Sequence, residues 1–227
     1  MRYLILVALL LCLPVRGEAW QVVGGGAAVP SAPPSIVSYS TAWSTSTDST
    51  SITIDNPTGS GGVLIAIFSA NRTPTCTGWS KVGTNGIFKV LSKTASTGDP
   101  SSYEFDHTVG YGSAHGIILR ISGSSSIFRS SEEVNSTWTS TLSFPEVTVS
   151  SSGSLLLWIG SKAINNALQG LSTISNGDVI YSGTGKTYAY PLLVASADEV
   201  SAGVVNSSGT LSAGGSDMVS MTIVVTP

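Results

Sequence analysis

Two short, unbroken apolar runs do most to limit what this chain can fold into. The first is Val63-Leu64-Ile65-Ala66-Ile67-Phe68, preceded by the turn-forming stretch Asn56-Pro57-Thr58-Gly59-Ser60-Gly61. The second is Leu155-Leu156-Leu157-Trp158-Ile159, preceded by Ser151-Ser152-Gly153-Ser154. An apolar run of this length between turn signals reads as a β-strand covered on both faces. A chain that carries two such strands needs apolar layers above and below each of them.

The flanking segments supply candidates for those layers. Ser51 to Asp55 alternates, placing Ile52 and Ile54 on one face, and Ser102 to Asp106 alternates through Tyr103 and Phe105. Further strands are read at Ile36–Ser40, Gly86–Lys93 and Gly116–Ile121. The second half repeats the plan, with Pro145–Ser150, Asp178–Ser182, Thr187–Ala195 and Met218–Val225. The two buried runs stand about 90 residues apart, too long a period for a solenoid. They fit two weakly similar halves that contribute strands to one two-sheet antiparallel β-sandwich. Serine, threonine, glycine and β-branched residues dominate, which favours an all-β chain, and no amphipathic helix is evident beyond one turn at Ile164–Leu168.

The N-terminus reads as an export signal. Arg2 precedes an apolar run from Tyr3 to Val15, too short to cross a bilayer of roughly 30 Å. Gly17-Glu18-Ala19 offers small residues for cleavage after Ala19, so residues 1–19 are expected to leave. The competing reading is a hydrophobic arm that stays on the protein. Residues 20–35, with Gly24-Gly25-Gly26 and Pro30, Pro33 and Pro34, read as a tether, and residues 36–227 as a single sandwich domain. The mature chain then carries no stable membrane span and is secreted or surface-exposed. Cys12 leaves with the leader and Cys76 remains alone. It reads as a tolerated loop residue, with a bridge between chains as the alternative.

Charge argues against one class of partner. Charged residues make up 10% of the chain and the net charge is −3, so no basic field exists to hold nucleic acid. No cofactor motif is present. Asp106, His107 and His115 are weighed as a metal trio, against two histidines facing solvent at a hairpin mouth. Glu104 and Asp106 share a strand face, which suits paired-carboxylate glycoside hydrolysis as well as a solvated face; Glu132, Glu133 and Glu146 are further carboxylates. No Gly-x-Ser-x-Gly nucleophile elbow occurs. Glycosylation sequons begin at Asn71, Asn135 and Asn206.

Aromatic residues are the remaining candidates for recognition. Trp158 reads as core and Trp79 as a core plug after Gly78. Trp43 and Trp138 sit among serine and threonine, where they suit stacking on sugar rings or local packing over a sheet edge; Tyr181 is similar. Ligand binding is therefore placed at Trp43, Trp138 and Tyr181.

From Ser51 to Gly123 the order of features carries a resemblance. An alternating strand, a glycine-rich turn and the apolar run lead to a proline-containing loop with Gly78-Trp79. Lys93-Thr94-Ala95, Asp99-Pro100 with Tyr103 and Phe105, and an apolar strand ending at Gly123 complete it. This resembles jelly-roll-like sandwich modules of tailed-phage virion and tail-fibre proteins and of bacterial secreted or surface proteins. The resemblance implies an assembly or attachment unit with no catalytic residues. Phage structural proteins usually lack a leader, so its presence here favours export. The expectation is an exported, non-enzymatic structural or adhesion module with weak glycan binding. The alternatives are a carbohydrate-active enzyme using the Glu104/Asp106 region and a self-assembling fibre or virion subunit, which would make the chain a homo-oligomer.

Overall fold

The structure, a computed structural model, describes residues 32–44, 49–70, 73–85, 88–107, 114–123, 126–129, 133–135, 139–162, 170–183, 191–215 and 218–227. The residues expected to form a leader, those expected to form a tether up to residue 31, the turn expected at Ile164–Leu168, and Ala19, Asn71, Glu132 and Trp138 lie outside the described residues. Ser31–Pro227 forms one compact unit.

The protein is all-β and antiparallel throughout. The first half contributes β1 (Ser35–Trp43), β2 (Ser51–Asp55), β3 (Val63–Ser69), β4 (Ser80–Asn85), β5 (Phe88–Thr94), β6 (Ser102–Asp106) and β7 (His115–Ser122). Five of these form a sheet in the order β1-β7-β3-β5-β4, and β2 and β6 form a separate ribbon. The second half contributes β8 (Ser126–Arg129), β9 (Glu133–Asn135), β10 (Thr139–Val149), β11 (Ser154–Lys162), β12 (Leu171–Ile174), β13 (Asp178–Gly183), β14 (Leu192–Val200), β15 (Gly203–Gly215) and β16 (Met218–Thr226). Its main sheet runs β13-β14-β11-β16-β8, with β9 also on β16, and β10-β15-β12 form the last sheet.

Side-chain alternation along the two apolar runs explains the layering. Ile65 and Ile67 belong to a core shared with Leu157 and Ile159, while Leu64, Ala66 and Phe68 face Ile52, Ile54, Tyr103 and Phe105 of the ribbon. Leu156 and Trp158 turn the other way, toward Leu142, Phe144 and Leu211. Three apolar interfaces therefore separate four stacked sheets. Each run is buried on both sides because it lies in an inner sheet. The sandwich read from the sequence is thus two sandwiches, one per half, pressed together through their main sheets.

The halves share one plan. Strand order 1-7-3-5-4 in the first matches 8-16-11-14-13 in the second. Registers agree: Val63 pairs Ile121 as Leu155 pairs Val225, and Ile67 pairs Val90 as Ile159 pairs Val194. Even the irregularity recurs, since β4 carries a bulge between Lys81 and Gly83 and β13 carries one between Val179 and Tyr181. The same face of each main sheet meets the other, as in an isologous dimer. Ser69 and Ser161, equivalent positions 92 residues apart, touch across this interface with their hydroxyl oxygens 2.7 Å apart. The Ser161 hydroxyl also donates to Pro191 O at 2.5 Å, so Ser69 is the donor between the two serines.

One end of the stack receives the chain from the tether. Gly123 adopts φ +68 and lies so close to Ala32 O that a Cβ would meet it at 2.2 Å, which only glycine allows. Ser35 pairs Ser122 at this end, and Trp43 pairs His115 at the opposite end.

Candidate functional site

Along most of the inner interface, equivalent positions hold similar apolar residues: Ile117 and Met221, Leu119 and Ile223, Ile121 and Val225. The likeness fails at the end far from the tether. There β7 begins with His115, where β16 has Val219. Matching bulges place Tyr181 of β13 opposite Gly83 of β4 in the comparison. On the edge strands, Trp43 and Tyr39 of β1 correspond to Val134 of β9 and Arg129 of β8. Four positions thus depart together, and they meet in space.

Their geometry follows from the strands that carry them. Tyr39 and Trp43 lie on the face of β1 toward the second half, about 13 Å apart by strand rise. The Trp43 ring meets the His115 ring edge-on at 6.1 Å and 84°. His115 meets Tyr181 at 5.4 Å and 86°, and Tyr181 meets Tyr39 at 6.4 Å and 60°. The result is a row, Tyr39–Tyr181–His115–Trp43, along the mouth between β1 and β13. Its outer members stay in contact with solvent, Tyr39 at 46% and Trp43 at 38% exposure, while His115 is 1% exposed.

Several contacts fix the row. Ser44 ends β1 by donating its N–H to Ala114 O at 2.8 Å and accepting the Ala114 N–H on its hydroxyl at 2.8 Å. His115 Nε2 lies 2.8 Å from the Tyr181 hydroxyl. Burial raises the Tyr181 pKa, a hydrogen bond from Thr41 opposes this, and Tyr39 adds to the rise. Which of the two donates follows from the imidazole tautomer. Gly183 passes so near that a Cβ would meet His115 Cε1 at 2.4 Å, so a side chain there would displace the ring.

The row unites two of the three residues expected to bind, Trp43 and Tyr181, and adds Tyr39, which sequence reasoning did not single out, and His115, which it weighed only as a metal ligand or a solvent-facing residue. Trp79 packs edge-on against Tyr103 at 5.1 Å and Phe105 at 5.2 Å, as a core plug does. The histidines do not face solvent as a pair. His107 is 9% exposed just after β6, and His115, the first residue of β7, is 1% exposed inside the row. Among the described residues no three His, Cys, Asp or Glu side chains gather as metal ligands. Glu104 and Asp106 lie exposed on the outward face of the ribbon, where Glu104 accepts a 2.7 Å hydrogen bond from Ser51. Cys76 is a half-buried free thiol whose pKa is raised by burial and then by the Asp106 charge, which leaves it a poor nucleophile. Asn206 is exposed on β15, and the sequon's third residue, Ser208, is half-buried with its N–H donating to the Ser175 hydroxyl at 3.0 Å. Asn135 ends β9 against Met218. Among the described residues no helix is long and apolar enough to cross a membrane.

An open cleft of about 510 Å³ lies at the other end, between the 56–61 turn and the 96–101 turn. Arg120 at its floor directs all its groups into the first turn, donating at 2.9 Å to Pro57 O, Gly61 O and Asn56 Oδ1. In the second turn Asp99 holds Lys93 at 2.7 Å. Burial alone would raise the Asp99 pKa, but hydrogen bonds from Lys93, the Ser96 N–H and the Ser96 hydroxyl outweigh it and bring it to about 2. The folded value lies below the ordinary one of about 3.9, so this contribution to stability is complete above pH 4 and is lost as pH falls toward 2. Asp99→Asn is expected to lower stability at pH 6 by about 1–2 kcal/mol and to flatten the loss between pH 4 and 2. Urea unfolding at pH 6, 4 and 2 checks this; parallel pH profiles for both proteins would contradict it. Both turns are therefore scaffold.

No family model matches this chain, and neither a curated protein nor a solved structure matches it.

Proposed function

We propose that this protein is an exported, non-enzymatic β-sandwich module of a cell or virion surface that binds glycans weakly through the row Tyr39–Tyr181–His115–Trp43. One observation carries the reading. On the face that the two main sheets share, these four positions are where the matching halves part, and all four changes converge on one edge of that face. A packing role alone gives no reason for this, since valine and glycine occupy two of the equivalent positions. The chemistry suits a pyranose ring. Exposed aromatic faces take its C–H surface, and the Thr41, Tyr39 and Tyr181 hydroxyls offer partners to its own. The site also lies at the end of the sheet where β1 finishes and β7 begins. Glu104 and Asp106, both out on the open ribbon face, give the enzyme alternative no comparable support.

A glycan array tests this reading. Mature protein is expected to bind a subset of neutral oligosaccharides, and Trp43→Ala to weaken that binding about tenfold, the effect of roughly 1.4 kcal/mol. Absence of binding by the wild type, or equal binding by Trp43→Ala, would overturn it.

A further inference from the structure

We propose that His115 is the positioning residue of this row, tying Tyr181 of the second half to Trp43 of the first so that both halves present one rigid surface. The inference rests on the glycan-binding reading only for its binding consequence. A histidine that is 1% exposed in an apolar interface needs a reason, because Val219 fills the matching place. His115 contacts both neighbours: Tyr181 through the 2.8 Å hydrogen bond and Trp43 through the edge-on ring contact. Trp43 is also its ladder partner across β1 and β7, so the imidazole sits directly beside the indole. Tyr181 comes from the edge of the other main sheet. With Gly183 leaving room for the ring, the imidazole bridges the two main sheets at this end of their interface. Valine would fill the space but hold neither neighbour's orientation, and an unheld indole on an edge strand loses affinity to ordering cost.

The test is a double-mutant cycle in the full mature chain between His115→Val and Tyr181→Phe. Its main readout is the indole Nε1–H NMR resonance of Trp43, assigned with Trp43→Phe. Tyr181→Phe removes one hydroxyl that the row links to Trp43 through His115. It is expected to shift the Trp43 resonance in the wild-type background and to leave it unmoved once His115 is valine. His115→Val is expected to broaden that resonance and to weaken glycan binding about tenfold, with the melting temperature unchanged or higher. A Trp43 resonance indifferent to both substitutions would overturn the proposal. If His115→Val does not fold, Tyr181→Phe alone decides, since a shift at Trp43 supports the bridge and no shift refutes it. If no glycan binds the wild type while the NMR coupling is present, the glycan reading fails and the positioning role of His115 stands.

Discussion

Replacing Trp158 by alanine is expected to lower the unfolding free energy by about 3–5 kcal/mol, the cost of deleting a large buried aromatic side chain. Trp158 is 1% exposed and heads the fully buried side chains by volume. It projects from β11 away from the shared interface and lies against Phe144 of β10, with ring centroids 6.4 Å apart. The backbone at Gly177 approaches its ring so closely that a Cβ there would come within 2.6 Å of Cζ3. A strand pairing on each side fixes β11, so the layers cannot close over the space that alanine leaves. Denaturant unfolding measures this directly. A loss below about 1 kcal/mol would mean that Trp158 does not separate the second half's two sheets as described.

The second large effect is expected at Arg120. Arg120→Met keeps the aliphatic stem but removes every donor to the 56–61 turn, and is expected to cost about 2–4 kcal/mol by stranding Pro57 O, Gly61 O and Asn56 Oδ1. The comparison of halves sharpens the point. Leu64 pairs Arg120 where Leu156 pairs Val224, so the second half has valine at the equivalent place. Its preceding turn is the shorter Ser151-Ser152-Gly153, whose carbonyl at Ser151 is satisfied locally by the Ser154 hydroxyl at 2.6 Å. The longer turn of the first half needs an interior donor and the shorter one does not. Val224→Ala, a control at the matching position, is expected to cost only what the lost apolar volume implies, about 1–3 kcal/mol. Equal effects in the two cases, each in this lower range, would deny Arg120 its role as anchor of the turn.

Much of the scaffold was legible in the sequence. The unbroken runs at Val63 and Leu155 announced strands covered on both faces, and the alternation at Ile52/Ile54 and Tyr103/Phe105 announced a one-sided ribbon. The repeat of these features announced two halves. The number of sheets was not legible, because an apolar residue does not state which layer it meets. β15 was missed for a different reason: Gly203 to Gly215 is built from small and polar residues, and its place between β10 and β12 comes from backbone pairing. β4, β8, β9 and β12 are short edge elements whose pairing partners define them.

The site was legible only in part. Trp43 and Tyr181 stood out as aromatics in polar surroundings, but 138 residues separate them and only the stacking of two sheet edges brings them together. Tyr39 was hidden in a short strand, and His115 was read as a surface residue because a lone histidine carries no motif. One signal for it was present: aligning Gly116–Ile121 with the strand from Met218 sets His115 against Val219, the one polar member of an otherwise apolar column. Duplicated chains thus offer their own comparison. Where both copies hold similar residues the fold explains them, and a divergence that no turn or packing difference accounts for, unlike that at Arg120, marks a position to test for function.

The measurement closest to the central claim is amide and indole chemical-shift mapping of the mature protein, titrated with the oligosaccharide that gives the strongest array signal. The account predicts perturbations confined to residues 39–43, His115 and the strand around Tyr181. Perturbations centred instead on the matching junction at Gly83, Arg129, Val134 and Val219, or on the ribbon face around Glu104 and Asp106, would contradict it.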